Sequence, residues 1–142
     1  MEFVTKNGNK ECKITAASFK DAVNLKKAAM KCLLNVDTLK SINLDNLQGL
    51  DSTKIFDAIG QLIVNIDVSD EFEKAVFVCL SDCLYDGFRQ INMQLFDDYP
   101  EAREDYYEII SKCCEVNLRP FFKSLCSELK QRFQTLTESN QE

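Results

Sequence analysis

SDEFEKAVFVCLSDCLYD, residues 69–86, decides what kind of protein this is. Phe72, Ala75, Val76, Cys79, Leu80 and Cys83 recur at the three- and four-residue steps of one helical face. Phe77, Val78, Leu84 and Tyr85 carry apolar surface well past that face, so the spacing predicts a helix that touches neighbours on at least two sides. Ser69 can cap its first turn, Asp70 and Glu71 suit the positive end of its dipole, and Gly87 can supply a left-handed stop. Burying side chains of this size contributes roughly 1.5–3 kcal/mol each. The stretch is therefore expected to be the central helix of an α-helical domain.

Outward from it the chain reads mainly helical. Glu2-Phe3-Val4-Thr5 and Glu11-Cys12-Lys13-Ile14 flank Lys6-Asn7-Gly8-Asn9-Lys10, in which Asn7-Gly8 is a strong hairpin signal. A lone two-stranded ribbon is marginal in water, so the hairpin is expected to lie on the helices. A first helix opens at Thr15 or Ser18, with Ser18 and Asp21 resembling a capping box, and runs to about Asn35 on an apolar stripe that includes Phe19. Residues 36–51 read as a loop with a short helical turn, and Ser52 caps a second helix with Ile55, Phe56, Ile59, Leu62, Ile63 and Ile66 periodic. In the connector 87–99, Ile91, Met93 and Leu95 alternate, which allows a short extended piece. Pro100 suits a first helical position, and Ala102, Tyr106, Ile109, Ile110, Cys113, Cys114 and Asn117 form an amphipathic face after it. Pro120 ends or kinks that helix near Asn117, and a last helix presents Phe121, Phe122, Leu125, Cys126, Leu129 and Phe133. The expectation is a mainly α fold: a single-domain helical bundle of about five to six helices over residues 1–133, an N-terminal β-hairpin at 1–15, and a disordered polar tail at 134–142.

Composition removes most chemistry. The net charge of −6 is uneven: residues 1–66 carry 9 basic and 7 acidic side chains, 67–105 carry 3 and 11, and 106–142 carry 5 and 5. No basic face can be assembled for nucleic acid, and the −8 over the middle third reads as a solvated acidic belt. Without a run of about 18 apolar residues or an apolar leader, neither a membrane span nor export is expected. The seven cysteines are odd in number, irregularly spaced and unaccompanied by histidine, so they read as core thiols of a reducing cytoplasm, not as disulfides or a metal site. The absent histidine excludes triads with a His base, and four glycines without a phosphate-cradling pattern remove the nucleotide loops. Asp97-Asp98 and Glu101, Glu104 and Asp105 mark a helix start, where the dipole accounts for them without catalysis. The chain reads as a non-enzyme with no cofactor; an enzyme using Asp97 and Asp98 with a divalent metal is the remaining catalytic alternative.

What remains is apolar surface. Core packing accounts for most of the stripes, while a groove for a partner helix on Phe121, Phe122, Leu125, Leu129 and Phe133 is the sharper alternative.

Arg103-x-x-Tyr106-Tyr107-x-Ile109 and Asn117-Leu118-x-Pro120-Phe121-Phe122, with Ala17-Ser18-Phe19 near the start, resemble the tail assembly chaperones of long-tailed phages (siphophages) of Gram-positive bacteria. These are small, acidic, mainly helical proteins, and the resemblance spans the whole chain. It implies a protein of the host cytoplasm, not expected in the mature virion, that coats the apolar helical tape measure protein and leaves as tail tube protein polymerises. It also makes Tyr106, Tyr107, Phe121, Phe122, Leu125 and Leu129 the expected contact residues. Arg103 is expected to pair with a carboxylate and Asn117 to satisfy backbone at the Pro120 break. Wide stripes and the hairpin edge leave self-association open. The rival reading is a small acidic phage inhibitor or adaptor binding a basic host protein surface.

Overall fold

The computed structural model describes residues 1–33, 69–121, 123–125, 127–128 and 131. The helix expected after Ser52, the loop before it and the tail at 134–142 lie outside them. Two strands open the chain, β1 (Glu2–Val4) and β2 (Glu11–Lys13), paired antiparallel with Phe3 opposite Cys12. α1 (Phe19–Leu33) begins where the Ser18 hydroxyl accepts the Asp21 N–H at 3.2 Å and the Ser18 carbonyl accepts that of Ala22.

The central helix is shorter than its apolar run. α2 spans Asp70–Cys79, capped by Ser69, whose hydroxyl accepts the Phe72 N–H at 3.1 Å. At Leu80 the backbone leaves the helix, and the Cys83 N–H closes a turn on the Leu80 carbonyl across Ser81-Asp82, residues whose side chains compete for backbone groups. The chain then re-emerges as β3 (Leu84–Tyr85) and returns as β4 (Arg89–Gln90). Both join the opening hairpin in one four-stranded antiparallel sheet of order β1-β2-β3-β4. Gly87 thus turns a hairpin instead of stopping a helix: Asp86 and Gly87 both take left-handed backbone, φ 56° and 81°.

The connector is helical where alternation suggested an extended piece. α3 (Met93–Asp98) is started by Asn92, whose side-chain oxygen accepts the Leu95 N–H at 3.0 Å. A 3₁₀ turn over Pro100–Asp105 leads into α4 (Tyr106–Leu118), and a second one, Arg119–Phe121, carries Pro120 out of the helix.

α2 lies against both α1 and α4, which also touch each other. Phe72, Val76 and Leu80 from α2 and its exit are fully buried with Leu25 and Ala29 of α1 and Ile109, Cys113 and Leu118 of α4. The six described cysteines are free thiols, five of them buried. Cys79 donates to the Asp21 carbonyl at 3.4 Å and Cys113 to the Val76 carbonyl at 3.8 Å; each thiol's influence on the other, ahead of burial, lowers Cys79 and raises Cys113. Phe19 departs from its expected place in the stripe. At the first position of α1 it is 77% exposed and leans on Phe121, ring centroids 6.3 Å apart.

Candidate partner-binding surface

The hairpin is fastened to the start of α4 by carboxylates. Asp105 is wholly buried; its Oδ1 accepts the Gly8 N–H at 2.9 Å and its Oδ2 the Tyr85 hydroxyl at 2.8 Å. Glu108 accepts the Lys6 N–H on both oxygens at 3.1 Å, and the Asn7 amide donates to the Glu104 carbonyl at 3.0 Å. Gly8 is required here for approach, not for its φ: a Cβ at this position would overlap the Asp105 carboxylate. Asp105 is therefore no solvated dipole acid, as its place in an acidic helix start suggested, but the internal clasp of the fold. Burial, and secondarily the bond to Asp105, pushes the Tyr85 hydroxyl above its ordinary range.

Beyond that clasp an aromatic cluster ties α2, α3 and α4 together. Phe96 meets Tyr106 edge-on at 5.4 Å and Phe77 at 6.1 Å, and Tyr106 meets Tyr107 at 5.1 Å. The Tyr106 hydroxyl donates to Glu73 at 2.6 Å; burial first and this bond second raise it above its usual range. Tyr106 is thus half-buried and engaged, while Tyr107 beside it is 47% exposed. Next to this cluster lies an open hollow of about 400 Å³, lined by Phe77, Val78 and Met93 and rimmed by Asp70, Glu73 and Lys74. Val78 and Met93 are 46% and 53% exposed there.

Among the described residues, the expected contact residues do not converge on one site. Tyr106 and Tyr107 stand at the N-terminal end of α4, and Phe121 lies past its C-terminal end, half-buried under Phe19 with the Lys26 ammonium 5.7 Å from its ring. Thirteen helical residues separate the two ends, roughly 20 Å. Leu125 is 1% exposed and part of the core, on a segment that Lys26 of α1 holds through Ser124 and Glu128. Phe122 and Leu129 lie outside the described residues. Val78 and Met93 were not among the expected contacts: Val78 reads as part of a helix that touches neighbours on at least two sides, and alternation placed Met93 in an extended segment.

The two polar residues do structural work. Arg103 Nε donates to the Phe96 carbonyl at 3.0 Å with its guanidinium 3.9 Å from Asp97, which orients the connector. Asn117 is buried; it accepts the Ala17 N–H at 2.8 Å and donates to the Cys113 carbonyl at 2.9 Å, so it fixes the entry to α1 more than the Pro120 break. Asp98 accepts from Gln94, and no group of three or more potential ligands among the described residues could hold a metal ion.

A family model described as phage tail assembly chaperone protein, TAC, matches residues 8–131, the greater part of the chain. The chain belongs to the phage tail assembly chaperone family. The match takes in the Gly8–Asp105 clasp, the aromatic cluster and the hollow, so these features of the chaperone lie within the family's own span. No curated protein and no solved structure gives a match. No helix among the chaperone's described residues is long and apolar enough to cross a membrane.

Proposed function

We propose that this chaperone covers the apolar stripe of the helical tape measure protein while the tail is assembled in the host cytoplasm, and releases it as tail tube protein polymerises. Membership of the family supports the general role, and one observation carries the surface. Val78, Met93 and Tyr107 are large, about half exposed, and stand on the packed cluster of Phe77, Phe96 and Tyr106. A rigid base under exposed apolar side chains loses little side-chain entropy when a partner docks, so more of the burial energy appears as affinity. The hollow between Val78 and Met93 suits the side chains that an amphipathic helix projects at three- and four-residue spacing. Phe19 and Phe121 form a second apolar contact at the far end of α4, which a long partner helix could reach in the same binding event.

Co-expression with the tape measure protein tests this. Val78→Asp combined with Met93→Asp should keep the melting temperature of the chaperone and lose the tape measure protein to the pellet. A doubly substituted chaperone that still keeps it in solution would refute the surface.

A further inference from the structure

Three arginines are described, and two have partners: Arg103 holds the Phe96 carbonyl and Asp97, and Arg119 donates to Glu115 at 2.7 Å. Arg89 differs. Its guanidinium lies 3.5 Å from the centroid of the Tyr99 ring and 4.6 Å from that of Phe88, clamped between two aromatic faces. Among the described residues no acceptor lies within hydrogen-bonding reach of it. The nearby carboxylates are otherwise engaged, Asp97 with Arg103 and Asp98 with Gln94. Phe88 is 68% exposed, and an open hollow of about 330 Å³ beside the clamp is lined by Phe88, Arg89, Leu95 and Tyr99, with Asp98 also on its wall.

Such a clamp has a chemical meaning. A guanidinium offers five N–H donors in one plane; stacking fixes that plane, so the entropy of ordering a long side chain is spent before any ligand arrives. Arg89 is paired in β4 opposite Tyr85, and the Tyr99 backbone is bonded on both sides, to the Leu95 carbonyl and the Ala102 N–H. The exposed edge then matches a carboxylate, which accepts two parallel bonds, with an apolar group alongside on Phe88. The surrounding charge ranks the anions: residues 67–105 carry 3 basic and 11 acidic side chains, a field that opposes a single carboxylate least and a multiply charged phosphate chain most, so recognition must come from contact with the guanidinium itself.

We propose that Arg89, clamped by Phe88 and Tyr99, is the docking site for a single aspartate or glutamate flanking the apolar stripe of the partner helix, and that it sets the register in which that helix lies. This rests on the proposed tape measure reading for the partner's identity, though not for its chemistry.

The test has two arms. In the first, binding of the co-purified tape measure protein is measured for wild type, Arg89→Lys, Arg89→Ala and Val78→Asp/Met93→Asp. The two Arg89 substitutions should weaken binding by about tenfold, near the worth of one charge-assisted hydrogen bond. Arg89→Lys should fail like Arg89→Ala, since an ammonium keeps the charge but not the plane. In the second, the Arg89 Nε–H resonance is followed while an 18-residue leucine-striped helical peptide with one glutamate is added, beside the same peptide with glutamine. A shift with glutamate alone supports the clamp even if the tape measure protein fails to bind, which would sink only the partner's identity. Wild-type affinity in both Arg89 variants, with no difference between the peptides, overturns the clamp. Loss of binding in Val78→Asp/Met93→Asp would then still uphold the partner reading.

Discussion

Gly8→Ala is the sharpest probe of how the sheet is fastened to the helices. Gly8 has no left-handed φ, so its backbone would accept alanine; the obstacle is the Asp105 carboxylate in the space where the Cβ would stand. Asp105 is wholly buried and spends its two oxygens on Gly8 N–H and Tyr85 O–H. A carboxylate displaced from there must loosen a charge-assisted hydrogen bond, worth about 1.5–3 kcal/mol, so a cost of about 2–3 kcal/mol is expected once the loop has relaxed. At about 2.1 cal/mol/K per residue, a chain of this length loses roughly 0.3 kcal/mol of stability per kelvin near its midpoint, so the melting temperature should fall by about 7–10 °C. Thermal melts followed by circular dichroism give the number. The mechanism is tested by repeating the substitution in Asp105→Ala, where the space is free: there Gly8→Ala should cost only a few tenths of a kcal/mol, a coupling of more than about 1 kcal/mol. Equal costs in the two backgrounds, or a single variant that melts with the wild type, would refute the reasoning.

Other expectations are simpler. Phe72→Ala, at a fully buried α2 position, should cost about 3–5 kcal/mol in urea unfolding, whereas Phe19→Ala should stay within about 0.5 kcal/mol despite the equal apolarity of the two residues. Asn117→Ala leaves the Ala17 N–H without its acceptor and should cost about 1–3 kcal/mol; a change under about 0.5 kcal/mol would remove its role in fixing α1. Ser69→Ala should cost about 1 kcal/mol and Ser69→Asp almost nothing, read from the same melts. Stability should also fall in alkali. Burial raises the Cys12 thiol from 9.0 to about 11 and that of Cys114 to about 12, and Cys83, Cys113, Tyr85 and Tyr106 shift the same way, against Cys79 alone in the other direction. Groups raised on folding contribute fully below their unfolded values and lose that contribution as pH rises through the folded ones, so unfolding free energy should hold near pH 8 and drop between pH 9 and 12. Urea midpoints at pH 8 and 10.5 that coincide would contradict this.

The sequence by itself settled what depends on near neighbours. Ser18 and Ser69 mark their helix starts, Pro120 marks the end of α4, and Asn7-Gly8 marks the opening hairpin, because caps, missing N–H groups and turn dipeptides act within four residues. The family resemblance was legible too, in the residues around Tyr106 and Pro120. Asp86-Gly87 carried a hairpin signal of the same kind, but two-residue strands are too short for periodicity, so only pairing with β2 made Leu84–Tyr85 a strand and ended α2 at Cys79. Tertiary structure alone decided which members of one apolar set are covered. It sealed Leu125, opened Val78 and Phe19, drew Asp105 inside and left the Arg89 guanidinium between two rings. Exposure and pairing are properties of what comes to lie across from a residue, and that partner is usually tens of positions away in the chain.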